Sequence, residues 1–342
     1  MSWLAPEHTS LALAPMEGIS DAIVRDLLSE LGGMDLCVTE FIRVAHRPVP
    51  AKVFLHACPE LRHGGRTPKG TPVMVQLLGG DPAILAASAQ TAESLGAQGI
   101  DLNFGCPAKR VNGHDGGATL LKTPGRIEAI VQAVVRACQV PVSAKIRLGF
   151  DRADRVVDLA RAAEHGGAAW LTIHGRTKVQ MYRGHADWEA IGVAARAVSI
   201  PVVANGDVMT PVDLHACRQT TGCEAFMLGR GAFRNPNSFR YMRGWDDRPF
   251  TPRNTLKLLH RFVQRVRSDS RFERPDRVAL NRLKGWLRAL GEREPAFHRI
   301  FESVKRLHSV DDAVVTITLE ETKLELDHPS ADHPAPHGHH PA

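Results

Sequence analysis

The sequence alternates short apolar runs with longer amphipathic stretches, and this alternation constrains the fold more than any other feature. Most of the short runs are hydrophobic on both faces, as parallel strands covered by helices are. The predicted strands are Leu11–Met16, Leu36–Phe41, Val73–Leu78, Gly99–Phe104, Val142–Leu148, Trp170–His174, Val202–Asn205 and Ala225–Leu228. The predicted helices between them include Ala22–Leu31, Pro82–Leu95, Pro124–Ala137, Val156–His165 and Trp188–Val198. Eight such βα repeats predict an α/β fold, a (β/α)₈ TIM barrel.

An open, doubly wound sheet is the alternative arrangement of these units. Such a sheet normally has fewer strands, and when it binds dinucleotides it carries a G-x-G-x-x-G turn, which this sequence lacks. The chain has 342 residues, enough for a barrel and a smaller unit. Beyond the Pro- and Asp-rich link Trp245–Pro252, apolar residues recur at helical spacing and predict a C-terminal helical-bundle domain.

We therefore expect three segments. Residues 1–244 form the barrel, residues 250–326 form the helical domain, and residues 327–342 form a disordered tail rich in histidine and proline. The tail contains five histidines, so metal binding by this segment is the alternative.

The sequence has no pattern typical of a membrane or secreted protein. No apolar run approaches the roughly 18 residues of a membrane span, and the first residues lack the basic and apolar regions of a signal peptide. The six cysteines are scattered without zinc-ligand spacing, which is typical of reduced thiols. We expect a cytoplasmic protein with no metal site, no membrane contact and no obligate protein partner.

The basic residues are concentrated in the predicted helical domain. The net charge of the whole chain is +6, but between Arg253 and Arg306 there are 15 Lys or Arg residues against 6 Asp or Glu. A single charged helix is usually only a solvated face. A segment this rich in arginine more often binds a polyanion, so a nucleic acid is the predicted partner.

The stretch Asp101–Arg110 contains the strongest single indication of chemistry. An apolar strand ends at Cys106-Pro107, and a Gly-rich loop and an apolar helical segment follow. A thiol at the carboxyl end of a barrel strand faces the loops that carry active sites, where it can act as a nucleophile or as a proton donor. A buried core thiol without chemistry is the alternative.

Polar or Gly-rich residues lie in or just beyond every predicted strand, mostly at the same end, and are predicted to converge on one ligand. Gly206 and Gly229-Arg230 follow the last two strands, where barrels usually bind phosphate, although glycines also form simple tight turns. Lys145 provides the cation expected beside a flavin ring, and Pro15-Met16 provides an apolar surface. The predicted cofactor-binding residues are Pro15, Met16, Glu17, Gln76, Lys145, His174, Asn205, Gly206, Asp207, Gly229 and Arg230.

Flavin mononucleotide (FMN) satisfies both parts of this pattern. A sugar phosphate would occupy the phosphate site equally well, but it would leave Met16 and Gln76 without a role.

Eight motifs, taken together, resemble those of the tRNA-dihydrouridine synthases. They are Ala14–Gly18, Val75–Leu77, Asp101–Pro107, Gly116–Leu121, Lys145–Arg147, His174–Thr177, Ala204–Gly206 and Gly229–Gly231. Their order and spacing match the family from about Leu11 to Leu307. Within the family, Thr39–Arg43 and Asn281–Leu287 are most similar to the bacterial C-type enzymes.

The resemblance implies an FMN-binding barrel and a helical domain that binds tRNA. It implies that NADPH (or NADH) reduces the flavin and that a uridine, position 16 for the C-type, is flipped out of the tRNA D-loop. Flavin N5 would then give a hydride to C6 of the uracil, and Cys106 would give a proton to C5. A thiol suits this role because its ordinary pKa of about 8.5 leaves it mostly protonated at neutral pH.

The resemblance also implies a set of substrate contacts. Asn103 would bind the uracil edge, the loop after the sixth strand would line the substrate side, and the basic helices would bind tRNA phosphates. The residues assigned to substrate or tRNA are Arg43, Asn103, Arg176, Lys178, Tyr182, Arg282, Lys284, Arg288 and Lys305.

Two other functions fit parts of the sequence. A flavin enzyme acting on a free pyrimidine, similar to dihydroorotate dehydrogenase, would leave the basic helices without a role. A tRNA-binding protein without catalysis would leave Cys106, Lys145 and His174 without one.

Overall fold

The computed structural model describes residues 3–4, 8–108 and 116–327. The chain divides into two compact units, with the boundary between Pro249 and Phe250. The described residues of the first unit form nine parallel strand segments: β1 (Ser10–Leu13), β2 (Leu36–Val38), β3 (Ile42–Arg43), β4 (Val73–Leu78), β5 (Ile100–Asn103), β6 (Val142–Arg147), β7 (Leu171–His174), β8 (Val202–Asn205) and β9 (Ala225–Leu228).

The strand segments close into a barrel. Their order is β2-β1-β9-β8-β7-β6-β5-β4-β3, and an additional pairing of β2 with β4 completes the circle. Because β2 and β3 are two parts of one strand, the barrel has eight strands, and the predicted (β/α)₈ fold is confirmed.

The second barrel strand differs from the prediction of one continuous run over Leu36–Phe41. Cys37 pairs with Val73 and Ile42 pairs with Leu77, so this strand has one more residue than β4 between the two pairs. That extra residue defines a β-bulge. Thr39 Oγ1 accepts a hydrogen bond from the backbone N–H of Gln76 at 3.0 Å. This N–H therefore keeps a partner where the pairing with β4 is interrupted.

Helices surround the barrel as predicted. Three of them have the predicted limits, namely Ala22–Leu31, Pro124–Ala137 and Val156–His165. The described helices of the first unit are Ala22–Leu31, Ala51–Ala57, Pro82–Ser94, Pro124–Ala137, Val156–His165, Trp188–Arg196, Pro211–Thr221, Arg230–Arg234 and Ser238–Met242. Short 3₁₀ turns lie at Pro59–His63 and Gly117–Lys122. The helix after β4 ends one residue before the predicted Leu95, and the helix after β7 ends two residues before the predicted Val198.

Large apolar side chains fill the amino end of the barrel. Trp3 packs edge-on against Trp170, which directly precedes β7, with 5.7 Å between the ring centres. Met74 and Met227 belong to the same buried cluster. This packing leaves the carboxyl ends of the strands as the place where polar side chains gather.

Between residues 250 and 327, the second unit has four helices: Pro252–Ser268, Pro275–Gly291, Pro295–Val304 and Val310–Asp327. Apolar side chains of these helices, among them Leu258, Leu283 and Leu287, are buried, and Phe262 meets Trp286 edge-on with 5.0 Å between the ring centres. The predicted tail, apart from Asp327, lies outside the described residues. Among the described helices of the chain, none combines the length and the apolar composition that a membrane span requires.

Candidate functional site

A cavity of about 580 Å³ opens at the carboxyl ends of the barrel strands. The loops after β1, β5, β7, β8 and β9 contribute to its lining, together with side chains of β6. Thirteen of the residues predicted from the sequence line it: Pro15, Met16, Glu17, Asn103, Cys106, Lys145, His174, Tyr182, Asn205, Gly206, Asp207, Gly229 and Arg230. A ligand in this cavity would therefore touch most of the predicted set at once.

Cys106 is held at the cavity by main-chain hydrogen bonds. Asn103 Oδ1 accepts the N–H groups of Gly105 and Cys106, both at 2.9 Å, and the Cys106 carbonyl accepts the N–H of Ala118 at 3.1 Å. Cys106 as a residue is 9% exposed. Burial raises the pKa of the Cys106 thiol above its usual value, so the group is protonated at neutral pH.

The β-bulge places an aromatic ring beside this thiol. Phe41 lies in the bulged segment Thr39–Phe41, lines the cavity and packs against the cluster that contains Cys106 and Leu78. Bulges commonly re-aim a side chain near a functional site. No sequence signal identified this residue, because the bulge is visible only in the strand register.

Lys145 projects from β6 and donates from Nζ to Asn205 Oδ1 at 3.0 Å. Asn205 in turn donates from Nδ2 to the Met227 carbonyl at 2.8 Å, which fixes the side chain that receives the lysine. Burial and the neighbouring Arg147 lower the pKa of Lys145 to about 8, against the attraction of Asp101. The lysine is thus a cation at neutral pH that loses its charge in mildly alkaline solution.

His174 ends β7 and is neutral at physiological pH. Burial, together with the positive charges of Lys145 and Arg147, lowers the pKa of His174 well below its usual value. The imidazole can therefore donate one hydrogen bond and accept another to a ligand in the cavity.

At Gly206, one of the residues predicted to bind phosphate, the main chain passes very close to neighbouring side chains. A Cβ at Gly206 would lie 2.9 Å from Ala186 Cβ and 3.2 Å from His174 Cδ2, and φ is +126°, so only glycine fits. The Arg230 guanidinium donates to Asp207 Oδ1 at 3.1 Å and is still partly exposed, so it lines the cavity as an available cation.

Arg176 holds the loop between β7 and the next helix. Its side chain is 2% exposed, and it donates to the carbonyls of Arg183 and Gly184 and to Asp207 Oδ2. Arg176 does not line the described part of the cavity, so its predicted contact with substrate stays a prediction.

Arg147 is a cavity residue that the sequence reasoning did not assign. It donates to the Gly105 carbonyl at 2.8 Å and to the carbonyls of Thr177 and Met181 at 3.1 and 2.8 Å. It thereby connects the Cys106 loop to the loop that carries Tyr182, whose ring centre lies 5.4 Å from the guanidinium. The sequence did contain a signal for Arg147, because Lys145 and Arg147 are two residues apart on one strand and therefore point to the same face.

Three further predicted residues of the barrel unit lie outside the described lining of the cavity. Gln76 is completely buried and hydrogen-bonded to Asp101 and Asn103. Arg43 lines a second cavity, of about 400 Å³. Lys178 Nζ lies 4.7 Å from the centre of the Phe150 ring.

The four predicted tRNA contacts of the second unit differ in their surroundings. Arg288 is exposed, whereas the guanidinium of Arg282 lies 4.9 Å from the centre of the Phe262 ring. Lys284 donates to the Leu307 carbonyl at 2.6 Å, and Lys305 pairs with Glu302. Lys284 therefore also has a structural role.

Comparison with known proteins identifies the class. The family model described as Dihydrouridine synthase (Dus) matches residues 12–323, and the chain belongs to this family.

Curated relatives match over most of their length. The tRNA-dihydrouridine(16) synthase of Salmonella typhimurium is 44% identical over 302 residues, which cover 86% of this chain and 94% of the relative. That of Escherichia coli K12 is 42% identical over 317 residues, which cover 90% and 98%.

A solved structure of histamine dehydrogenase from Rhizobium sp. 4-9 gives a TM-score of 0.53 at 11% identity. The match covers 69% of this chain and 45% of that one. At this identity the likeness concerns the fold alone.

Proposed function

We propose that this protein reduces a uridine in the D-loop of tRNA, at position 16, to 5,6-dihydrouridine, with FMN as cofactor and NADPH (or NADH) as electron donor. One observation supports this most directly: a protonated thiol, Cys106, shares a cavity with Lys145 and Arg230. The curated relatives of similar length, named tRNA-dihydrouridine(16) synthases, support the choice of substrate.

The residues present fit FMN. Arg230 and the main chain at Gly206 and Gly229 would hold the phosphate, since a guanidinium and main-chain N–H groups are the usual partners of phosphate. Pro15 and Met16 would contact the ring, and Lys145 would supply a cation beside it. When bound, FMN would supply the hydride that adds to C6 of the uracil.

The chain itself would supply the proton. Cys106 would donate from Sγ to C5 of the uracil, while Asn103, on the same strand end, holds the loop of the thiol and contacts the base.

Residues 250–326 would bind tRNA through their basic helices, and residues 1–244 would carry out the chemistry. This division gives a role to the concentrated positive charge between Arg253 and Arg306.

The function is tested by mapping dihydrouridine in tRNA from a strain that lacks the gene. We expect loss at position 16 alone and its return when the gene is restored. Dihydrouridine missing at position 20 instead would contradict the position, and an unchanged tRNA with rapid reduction of a free pyrimidine would contradict the substrate class. Acid should release FMN from the purified protein, and release of FAD would contradict the cofactor.

FMN binding is expected to weaken as the pH rises through 8. The pKa of Lys145 is lowered to about 8, so the cation beside the ring is mostly present at pH 7 and mostly lost at pH 9. We expect FMN affinity of the apoprotein to fall about tenfold over this range, the equivalent of one pKa unit. Quenching of FMN fluorescence measures it.

Lys145→Arg is the matched control, because a guanidinium stays charged throughout this range. Its FMN affinity should be nearly independent of pH. The same decline in both proteins would show that another group is responsible.

Replacing Arg282 and Arg288 by alanine is expected to weaken tRNA binding and reduce its salt dependence. Each lost phosphate contact lowers the slope of log K against log salt by roughly one unit. Lys284 is left unchanged because it supports Leu307. Filter binding of tRNA at several salt concentrations gives the slope.

The control removes three exposed cations of the barrel unit, Lys52, Lys69 and Arg196. This variant changes the net charge further but should keep the wild-type slope. Equal slopes in the Arg282/Arg288 variant and the wild type would contradict phosphate binding by that helix.

A further inference from the structure

Met181, in the loop after β7, is an exposed apolar residue to which the proposed chemistry gives no role. It lines the cavity, yet it is 45% exposed. The next residue, Tyr182, also lines the cavity and is 55% exposed. Single exposed apolar residues are common on protein surfaces, but two adjacent ones at the mouth of a cavity indicate a surface that a ligand covers.

The backbone of Met181 has a conformation that glycine adopts more easily. Its φ angle is +54°, in the left-handed region, where the Cβ atom of any other residue is crowded by the main chain. A methionine at this position therefore destabilises the loop relative to glycine. Strained residues of this kind cluster at ligand-binding sites, so the strain points to a role for the side chain of Met181.

Main-chain hydrogen bonds hold Met181 in this conformation. Its N–H donates to the Lys178 carbonyl at 3.2 Å, and its carbonyl accepts from Arg147 Nη1 at 2.8 Å. The N–H of Arg183 donates to the Gln180 carbonyl at 2.9 Å in the same turn. Because a fixed turn presents the side chain, little conformational freedom is lost when a ligand packs against it.

The groups around Met181 favour a single-stranded nucleic acid as this ligand. Tyr182 offers an aromatic ring, and two cations lie in the same loop, Arg183 exposed and Lys178 half-buried. Proteins bind single strands with this combination, in which cations contact phosphates and aromatic or apolar side chains contact the faces of the bases.

The exposure of Met181 indicates which nucleotide it can reach. The target uracil has to lie against Cys106, which is 9% exposed and therefore well inside the cavity. Met181 is much more exposed, so part of its surface faces the solution outside the mouth. That part is available to the strand where it enters or leaves the cavity, at a nucleotide next to the target.

We propose that Met181 packs against the base next to the extruded uridine and fills the space that the uridine leaves in the D-loop, so that the tRNA is held in its flipped-out form. This inference rests on the proposed function. Proteins that unstack nucleic acids insert methionine and other apolar side chains between neighbouring bases. Such a contact replaces part of the stacking that is lost when a base is extruded.

Four variants separate this contact from other effects. Met181→Ala removes the side chain, Met181→Gly removes it and also relieves the backbone strain, and Met181→Leu keeps an apolar side chain of similar volume. Val179→Ala is the matched control. Val179 lies in the same loop and is 48% exposed, but it does not line the described part of the cavity.

Each flavin-loaded protein is reduced with NADPH, and the second-order rate of flavin oxidation is measured at low tRNA concentration. The RNA is a synthetic tRNA with uridine at position 16, either complete or without the base at position 15 or 17. With complete tRNA, Met181→Ala and Met181→Gly should react about tenfold more slowly than wild type, a typical contribution of one base contact. Met181→Leu and Val179→Ala should stay within about threefold of wild type.

Removing the base that Met181 contacts should also slow the wild type and Val179→Ala about tenfold. It should not slow Met181→Ala further, because the contact is already absent. FMN affinity should remain at the wild-type value in all four variants. The urea midpoint of Met181→Gly should not fall below that of Met181→Ala, because glycine relieves the strain.

Equal losses in the wild type and Met181→Ala on removal of the base, at both position 15 and position 17, would overturn the inference. So would a Met181→Gly enzyme that reacts with complete tRNA at the wild-type rate. Slower reduction of Met181→Ala by NADPH, with unchanged oxidation by tRNA, would assign the residue to the nicotinamide donor and would also overturn it. A wild-type enzyme that does not react with complete tRNA would instead contradict the proposed function.

Discussion

Replacing Cys106 by alanine is expected to lower the rate of uridine reduction about 10²–10⁴-fold, the usual contribution of a positioned proton donor. The substitution removes one small, largely buried sulfur and leaves every hydrogen bond of the Cys106 main chain in place. Binding of FMN and tRNA should therefore remain, and reduction of the flavin by NADPH should be unchanged. Single-turnover oxidation of the reduced flavin by tRNA isolates the affected step.

Cys138→Ala provides the control for this experiment. Cys138 is also a buried thiol, but it lies at the end of the helix Pro124–Ala137 and does not belong to the cavity lining. Its substitution should leave the rate unchanged. A Cys106→Ala enzyme with wild-type turnover would show that the thiol is only structural.

Replacing Arg25 by methionine is expected to destabilise the protein by about 3–5 kcal/mol, the usual cost of breaking a buried ion pair. Arg25 is completely buried and donates from Nε and Nη2 to the two oxygens of Glu60, at 2.8 and 2.9 Å. It also donates to the Ser20 carbonyl at 2.8 Å. The methionine would leave a buried carboxylate without the cation that neutralises it. Urea denaturation measures the loss.

The size of this loss should depend on pH in a defined direction. Burial alone would raise the pKa of Glu60, but the charge and hydrogen bonds of Arg25 outweigh it and lower the pKa below 4.5. In the wild type, the ion pair stabilises the fold above pH 4.5, and this stability is lost as the pH falls through the lowered pKa. Without Arg25 the pKa of Glu60 rises, so the carboxylate takes up a proton more readily as the pH falls from 7 to 5. The neutral form destabilises the variant less than the buried charge does. The difference from wild type should shrink over that range.

The double variant Arg25→Met/Glu60→Gln separates the charge from the packing. Because it contains no buried charge at this place, it should recover part of the stability and lose the pH dependence of the difference. A single Arg25→Met variant as stable as the double variant at pH 7 would contradict an energetic role for the isolated carboxylate.

The strands of the barrel were predictable because burial on both faces makes each one an apolar run. Val73–Leu78, Val202–Asn205 and Ala225–Leu228 have the predicted limits. The β-bulge was not predictable in this way, since Thr39–Phe41 remains compatible with a continuous strand. The extra residue becomes visible only when Cys37 and Ile42 are paired with β4.

The cavity was predictable to the extent that carboxyl ends of parallel strands must meet at one end of a barrel. This placed Cys106 and Lys145 together, as the structure has them. The partner of each polar group was not predictable, because it depends on side-chain direction. Asp101 stands in an apolar strand and was passed over, although a carboxylate buried there requires hydrogen-bond donors.

The loop after β7 has a consequence for how this enzyme could change by mutation. Arg147 of β6 and Arg176, the second residue of the loop, donate to the carbonyls of Thr177, Met181, Arg183 and Gly184. Every residue type has a main-chain carbonyl, so these bonds survive when the side chains of these four acceptor residues are exchanged. Tyr182 lines the cavity from this loop, so its side chain can be exchanged, and the shape of the cavity changed, without loss of these four hydrogen bonds.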